Sequence, residues 1–239
     1  MGAVAQTKIR RFYQDVSVGE ADGGFAVLLD GKPLKTLSRS AYALPSRALA
    51  EAVAEEWRAQ GEEIDPDRMP LTRLVNTAIE SVPVNRAPVA EHAIALGKSD
   101  LLCYRAEAPE ALAARQAEAW DPVLDWLHEA HGARLRTGHG IGFVEQPAEA
   151  LMALEHAVWH HDDFGLTGLS AAASILGSLA LVLALSGGRL SAEEAFRLAT
   201  LDEAFQARQW GEDEEARARL DRLAAELAAV ERFLRLARA

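Results

Sequence analysis

The chain is poor in cysteine and in basic side chains. Its single cysteine, Cys103, excludes an internal disulfide and a metal site built from several cysteines, and it fits a reducing compartment. The sequence contains 25 Lys and Arg against 36 Asp and Glu, so the net charge at pH 7 is −11. Because there is no excess of positive charge to neutralise phosphates, this balance argues against nucleic acid and anionic lipid as partners and favours a basic protein surface.

A targeting segment is also missing from the start of the sequence. Residues 1–12, MGAVAQTKIRRF, have no apolar run after their basic residues and are too short for a signal or transit sequence. With 239 residues, of which 49% are hydrophobic, the chain is long enough to bury a core of its own. We therefore expect a folded protein of the bacterial cytoplasm.

Motifs for catalysis are scarce. The sequence has no Gly-x-Ser-x-Gly elbow, and GHGIG at 138–142 lacks the glycine order of a phosphate-binding loop. His156 and His160 are four residues apart and would share a helix face, so a metal-dependent hydrolase using this region is the alternative function. The HExxH pattern that would add a general base is absent, and we expect a solvated helix end there rather than an enzyme.

The longest uncharged window contains LTGLSAAASILGSLALVLALS at 166–186. This run is long enough to cross a membrane, but more than half of it is Ala, Ser, Gly or Thr, and no basic residues flank its N-terminal side. A helix without charge on any side is otherwise one buried on all sides. We predict a single buried central helix, with Ser170, Ser174 and Ser178 on a small face that admits another helix closely.

The N-terminal part has the pattern of a small antiparallel sheet. Strand-like alternation at 12–18 resumes at 25–29. Asp30-Gly31 then marks a tight hairpin turn, and Pro33 limits the returning strand to an edge of the sheet.

A helix is predicted directly after this sheet. Ser46 is a good N-cap, and the apolar residues Leu49, Val53 and Trp57 repeat every four residues. Because a few strands alone bury too little apolar surface, we expect this helix to cover the sheet, with Trp57 as its anchor.

Helical periodicity dominates after EEIDPDRMP at 62–70, a charged segment with two prolines. This change places the domain boundary. The predicted fold is α+β: a β-rich N-terminal domain, residues 1–68, with its covering helix, followed by a larger all-helical domain, residues 69–239, around the buried central helix.

Two helix starts in the C-terminal part have clear signals. Asp121 and Pro122 are well placed as the N-cap and first residue of a helix, which predicts a break between two helices at that point. Ser191 and Glu194 form a capping box at the start of another helix.

Trp210 differs from the other four tryptophans, for which core packing is expected. It is followed by Gly211 and by four acids, Glu212 to Glu215. Acids at a helix start are favoured by the helix dipole, which would explain them without any partner. An exposed acidic edge beside a large aromatic residue is equally suited to a basic, partly apolar protein surface. Both interpretations stay open on the residues alone.

A set of strings occurs in a characteristic order along nearly the whole chain. These are RFYQDVSV, GGFAVLLDGKPLKT, LPSRALAEAVAEEW, MPLTRLVNTAIE, DLLCYRAEAPEAL, WDPVLDW and LDEAFQARQWGEDEEA. In this combination the chain resembles the F1-ATPase assembly chaperones that look after the unassembled α subunit, known from mitochondria and α-proteobacteria. It departs from the mitochondrial members in lacking a presequence and in its unusually acidic tetrad, where the fixed glutamate of the family pattern falls on Glu214.

The resemblance implies a non-catalytic, ATP-independent binding protein that holds the α subunit until the β subunit replaces it. Such a protein needs no cofactor. Taking the whole sequence together, we also expect no bound metal, no nucleic acid, no membrane insertion and a monomer when free. The residues expected to bind the partner are Gln206, Trp210, Glu212, Asp213, Glu214 and Glu215.

Overall fold

The computed structural model describes residues 9–36, 38–211 and 213–239. Within these residues the strands are β1 (Ile9–Arg10), β2 (Val16–Ala21), β3 (Gly24–Leu29), β4 (Lys32–Pro33), β5 (Glu63–Ile64), β6 (Tyr104–Arg105) and β7 (Gly138–His139). The helices are α1 (Arg47–Arg58), α2 (Pro70–Asn76), which continues as a π-helical segment over Thr77–Ser81, α3 (Arg86–Lys98), α4 (Glu110–His131), α5 (Ala148–Trp159), α6 (Asp163–Leu176), α7 (Leu179–Ser186), α8 (Ala192–Ala199), α9 (Leu201–Trp210) and α10 (Glu214–Ala237).

The N-terminal sheet is antiparallel, with strand order β2-β3-β4, as predicted. Asp30 and Gly31 form the turn between β3 and β4 with φ values of 48° and 74°, the left-handed conformation that a tight hairpin requires. Pro33 lies on the edge strand opposite Leu28. Two short ladders complete the strands: β1 pairs antiparallel with β5, and β6 pairs parallel with β7.

Helix α1 covers this sheet, which confirms the prediction. The Ser46 side chain accepts a hydrogen bond from the Leu49 backbone N–H at 3.0 Å and so caps the helix. Leu49 and Val53 are fully buried, and the helix packs on β2 and β3. At its C-terminal end the Trp57 ring lies 5.5 Å from the Tyr13 ring, and the Tyr13 hydroxyl donates to the Trp57 carbonyl at 2.7 Å.

The predicted central helix over 166–186 is buried but is not one helix. α6 ends at Gly177, whose φ of 61° is left-handed, and α7 begins after Ser178. The Ser178 hydroxyl caps α7 by accepting from the Leu181 N–H at 3.1 Å. The prediction of a single helix was wrong because glycine adopts the left-handed conformation easily and the following serine restarts a helix.

A buried carboxylate completes the start of α7. Asp100 is fully buried, and its side chain accepts hydrogen bonds from the Ser178 hydroxyl at 2.7 Å, the Ala180 N–H at 3.0 Å and the Leu102 N–H at 3.0 Å. Burial raises the pKa of the Asp100 carboxyl, and these hydrogen bonds oppose the rise. A helix start inside the core needs such a partner because no water can satisfy its N–H groups.

The three serines of the predicted small face differ in burial, since Ser178 is fully buried, Ser170 is half-buried and Ser174 is exposed. Ser174 is exposed, and its hydroxyl donates to the Ser170 carbonyl at 3.1 Å. The close approach occurs at Gly168 instead, where an added Cβ would lie 2.3 Å from Leu234 of α10. The Ser174 hydroxyl thus bonds to the preceding turn of its own helix, so this serine needs no partner from another helix.

Helix α4 runs unbroken through Pro122, so the predicted break at Asp121 was wrong. Proline removes one backbone hydrogen bond, but Trp120, Val123 and Leu127 are buried on both sides of it and hold the two halves in line. Asp121 forms a salt bridge with Arg105 at 2.6 Å instead of acting as a cap. Gly132 ends the helix with a φ of 74°, as predicted.

The two predicted domains share contacts and one hydrophobic core cluster within the described residues. The Glu56 carboxylate of α1 accepts from the Leu71 and Thr72 N–H groups at 2.7 and 2.8 Å and so caps α2. Arg232 of α10 reaches Glu55 at 3.1 Å. The α+β class is confirmed, whereas the division at residue 68 stays a prediction about folding units. In the described part of the chain, no helix is long and apolar enough to cross a membrane.

Candidate partner-binding site

Helices α9 and α10 form a hairpin whose outer end is exposed. Of the ten described residues of α9, Leu201 alone is buried. In α10 the first buried residue is Leu227, more than halfway along the helix. Packing of α10 therefore begins at Leu227, later than its apolar stripe indicates, since Leu220 and Leu223 are only half-buried. The last turn of α9, the junction and the first turn of α10 together form what we call the hairpin tip, which comprises Trp210, Gly211, Asp213, Glu214 and Glu215.

Trp210 is the most exposed tryptophan described, at 85%. By contrast, Trp120 is 1% exposed, and its indole N–H donates to the Leu198 carbonyl at 3.0 Å. Leaving an indole in water forgoes the hydrophobic free energy that burial would give. A large aromatic residue in this position is typical of a surface that a partner covers.

The acids of the tip belong to the start of α10. Asp213 is the N-cap, and its carboxylate accepts from the Ala216 N–H at 3.2 Å. Glu214 and Glu215 follow in the first turn, both exposed, where the helix dipole favours negative charge. Within the described residues neither glutamate side chain makes a hydrogen bond or a salt bridge, so both are available to a partner. The predicted site residue Glu212 lies outside the described residues.

A cleft of about 630 Å³ opens between α9 and α10 beside the tip. Its floor is made of small and apolar side chains, and Gln206, Trp210 and Asp213 lie along it. The residues of the floor are Ala204, Ala207, Ala216 and Leu220. The structure thus brings three of the predicted site residues to one cleft, whereas Glu214 and Glu215 lie next to it on the first turn of α10. We call this cleft the tip cleft.

The tip cleft also contains residues that the sequence reasoning missed. Glu203 of α9 and Arg219 of α10 face each other across it at 3.5 Å, and both are more than half exposed. An exposed pair of this kind contributes little stability. The spacing of Ala204, Ala207 and Trp210 on one face of α9 was the signal available in the sequence.

The base of the hairpin is held firmly. The Gln116 side chain, buried in α4, donates to the Asp202 carboxylate at 2.8 Å at the start of α9. The same glutamine accepts from the Ala106 N–H at 2.7 Å. The base of the hairpin is therefore fixed to α4, whereas the side chains of the hairpin tip are exposed.

The histidines do not assemble a catalytic site in the described part of the chain. The rings of His156 and His160 are stacked 6.1 Å apart on an exposed surface. No group of three or more His, Cys, Asp or Glu side chains able to hold a metal occurs among the described residues. Burial lowers the pKa of His161, whose Nε2 lies 3.1 Å from the Ser186 hydroxyl. The hydrolase alternative therefore has no donor set there to support it.

Comparisons with known proteins point in one direction. The family described as ATP12 chaperone protein matches residues 10–128. The mitochondrial protein atp12 of Schizosaccharomyces pombe is 24% identical over 223 residues, which cover 88% of this chain and 77% of that protein.

Solved structures extend the match to almost the whole chain. The crystal structure of Atp12 from Paracoccus denitrificans has a TM-score of 0.93 and 46% identity, covering 96% of this chain and 98% of that one. The Atu1473 protein of Agrobacterium tumefaciens has a TM-score of 0.89 and 44% identity, covering 95% of this chain and 85% of that one.

Proposed function

The chain belongs to the ATP12 chaperone family, and on that premise we propose that it holds the unassembled α subunit of F1-ATPase on its hairpin tip until the β subunit takes its place. The family makes it a chaperone of F1-ATPase assembly, as the resemblance in the sequence implied. Its choice of the α subunit and the residues that bind it are the proposal.

The observation that carries the proposal is the 85% exposure of Trp210 at the end of a helix that buries a single residue. Aromatic side chains supply much of the binding energy at protein interfaces, and they do so when the partner covers them fully. Beside Trp210, Glu214 and Glu215 carry unpaired negative charge. The combination fits a surface that is apolar at its centre and basic around it.

Such a surface suits the task of a subunit chaperone. A subunit waiting for its partner exposes an apolar interface, and large exposed apolar patches associate wrongly. A protein that covers this patch keeps the subunit soluble by mass action and must leave when the better partner arrives. Binding and release alone accomplish this, so the proposal requires neither catalysis nor a cofactor.

Glu214 can distinguish the two interpretations of the acidic run, a solvated helix start or a partner-binding edge. As a first-turn acid it contributes only about 0.3–1 kcal/mol through the helix dipole. If it pairs with a cation that the interface buries, its removal leaves that cation desolvated and costs roughly 2–5 kcal/mol of binding. The two magnitudes are far enough apart to be distinguished.

The test is retention of soluble α subunit on co-expression, with the β subunit as the comparison protein in a pull-down. We expect the wild type to retain α and not β, and Glu214→Lys to lose retention while unfolding at nearly the wild-type temperature. Glu193→Lys is the matched control, because Glu193 is also an exposed first-turn acid, on α8. Equal retention of α by Glu214→Lys and the wild type would show that the acids only stabilise the solvated start of α10 and do not bind the partner.

A further inference from the structure

A second cleft, of about 460 Å³, lies between α4, α8 and α9. Its floor is apolar and is formed by Pro122, Val123, Leu190, Leu198 and Leu201. Four arginines from different parts of the chain line it: Arg115 of α4, Arg189 after α7, Arg197 of α8 and Arg208 of α9. We call it the arginine cleft. Helix α9 borders both clefts, since Ala204 lines each of them.

The charge of the arginine cleft opposes that of the whole chain. Four arginines face two glutamates, Glu118 and Glu194, in a protein with a net charge of −11. Glu194 is already engaged, because its carboxylate accepts from the Ser191 N–H at 2.8 Å and from the Ser191 hydroxyl at 3.0 Å. Those hydrogen bonds lower the pKa of Glu194, and the charges of Arg197 and Arg189 lower it further.

The guanidinium groups themselves have no fixed partners. All four arginines are exposed, and within the described residues none of their side chains makes a hydrogen bond or a salt bridge. Elsewhere in the described chain Arg86, Arg105 and Arg232 each pair with a carboxylate. Unpaired positive charge gathered in one place in an acidic protein is complementary to an acidic ligand.

The shape of the cleft favours an acidic protein segment over a small anion. A small anion is bound best by donors that converge and are partly buried, whereas these arginines are exposed and stand around an apolar floor. Arginine around an apolar centre is the composition of a protein interface. A segment that places an apolar side chain on the floor and carboxylates at the rim matches both features.

We propose that the arginine cleft docks a carboxylate-bearing segment of the F1 α subunit, while the hairpin tip engages a basic surface of the same molecule. This inference rests on the function proposed above and names a second contact for it. The opposite charges of the arginine cleft and the hairpin tip fix the orientation of the partner, because a reversed partner would place like charges together at both sites.

The first test reverses charge in the cleft. The double variant Arg115→Glu/Arg197→Glu is compared with Arg134→Glu/Arg136→Glu, in which two exposed arginines beyond the C-terminal end of α4 undergo the same change in net charge. At about 0.15 M salt we expect the cleft variant to retain at least roughly tenfold less soluble α subunit on co-expression, because like charges then meet. The control should retain the wild-type amount, and thermal unfolding should show all three proteins equally folded.

The second test identifies what occupies the cleft. A photo-reactive p-benzoylphenylalanine replaces Ala119, which lines the cleft, and for comparison Ala130, an exposed residue near the end of α4. We expect cross-linking to α from position 119 and not from 130, and mass spectrometry should locate the linked peptide in a segment rich in Asp and Glu.

Several outcomes would overturn the inference. Wild-type retention of α by the cleft variant, or cross-links from position 119 to a basic or neutral segment, would do so while the proposed function stands. Binding of sodium pyrophosphate by the wild type, lost in the cleft variant with α retention unchanged, would assign the cleft to small anions. Failure of the wild type itself to retain α would refute the proposed function and this inference together.

Discussion

Two helix junctions in this protein use the same local chemistry in opposite surroundings. Between α6 and α7, Gly177 has a φ of 61° and Ser178 caps the next helix. Between α9 and α10, Gly211 has a φ of 92° and Asp213 is the cap. All eight residues of α7 are buried, whereas α10 buries nothing before Leu227.

The difference shows that a buried helix start needs more hydrogen-bond acceptors from the protein than an exposed one. At the exposed junction water satisfies the N–H groups that Asp213 does not reach, so one capping side chain is enough. At the buried junction a second group is needed, and Asp100 supplies it from 78 residues away in the chain. The exposed junction needs no second capping group, and its side chains remain accessible to a partner.

Two tryptophans provide the largest contrast between the body of the molecule and the hairpin. Trp57 packs on Tyr13 and the core, so we expect Trp57→Ala to lower the free energy of unfolding by about 3–5 kcal/mol and to deplete soluble protein. Trp210 is exposed, and Trp210→Ala should change that free energy by no more than about 0.5 kcal/mol while weakening α-subunit retention. Urea unfolding gives the first quantity and co-expression the second.

The opposite pattern would break this contrast. A Trp57→Ala protein as stable as the wild type that fails only to bind α would move Trp57 from the core to the interface.

The two capping aspartates provide the next contrast. Asp100→Ala leaves the buried Ala180 and Leu102 N–H groups without an acceptor, and each such group costs about 1–3 kcal/mol, so we expect a loss of roughly 3 kcal/mol. Asp213→Ala removes only an exposed N-cap, worth about 1 kcal/mol. Chemical denaturation of both variants measures the two losses, and equal losses would show that burial does not distinguish the junctions.

Acidification provides the smallest effect and should act on the helical body around His161 rather than on the hairpin tip. The His161 ring links the start of α6 to Ser186 at the end of α7, and burial lowers its pKa. The unfolded chain therefore takes up a proton before the folded protein does, and stability is lost as the pH falls through the ordinary histidine pKa of about 6.5.

We expect the wild type to lose stability between about pH 7 and pH 5 and His161→Gln to lose less over the same window. The segment from residue 199 to residue 239 contains no histidine, so fluorescence of Trp210 should not follow this transition before global unfolding. A pH dependence unchanged by His161→Gln would show that another group causes it.

Local patterns in the sequence determined much of this protein. The hairpin at Asp30-Gly31, the caps at Ser46 and Ser191, the apolar face of α1 and the change from strands to helices all depend on residues close together in the chain. Such features can be predicted from the sequence because turn geometry and capping hydrogen bonds involve residues only a few positions apart. Trp210 and the acids that follow it could be predicted to lie together because they are adjacent in the chain, within one of the segments that carry the family resemblance.

Only the tertiary structure decided where helices could break and which faces stayed open. Pro122 remained inside α4 because buried side chains on both sides outweigh one lost hydrogen bond. The break after Gly177 could be buried because the Asp100 carboxylate accepts from the Ser178 hydroxyl and the Ala180 N–H at the start of α7. The arginine cleft gathers side chains from residues 115 to 208, which no local pattern relates. Contacts between distant residues determine these features, and a single sequence does not show which distant residues meet.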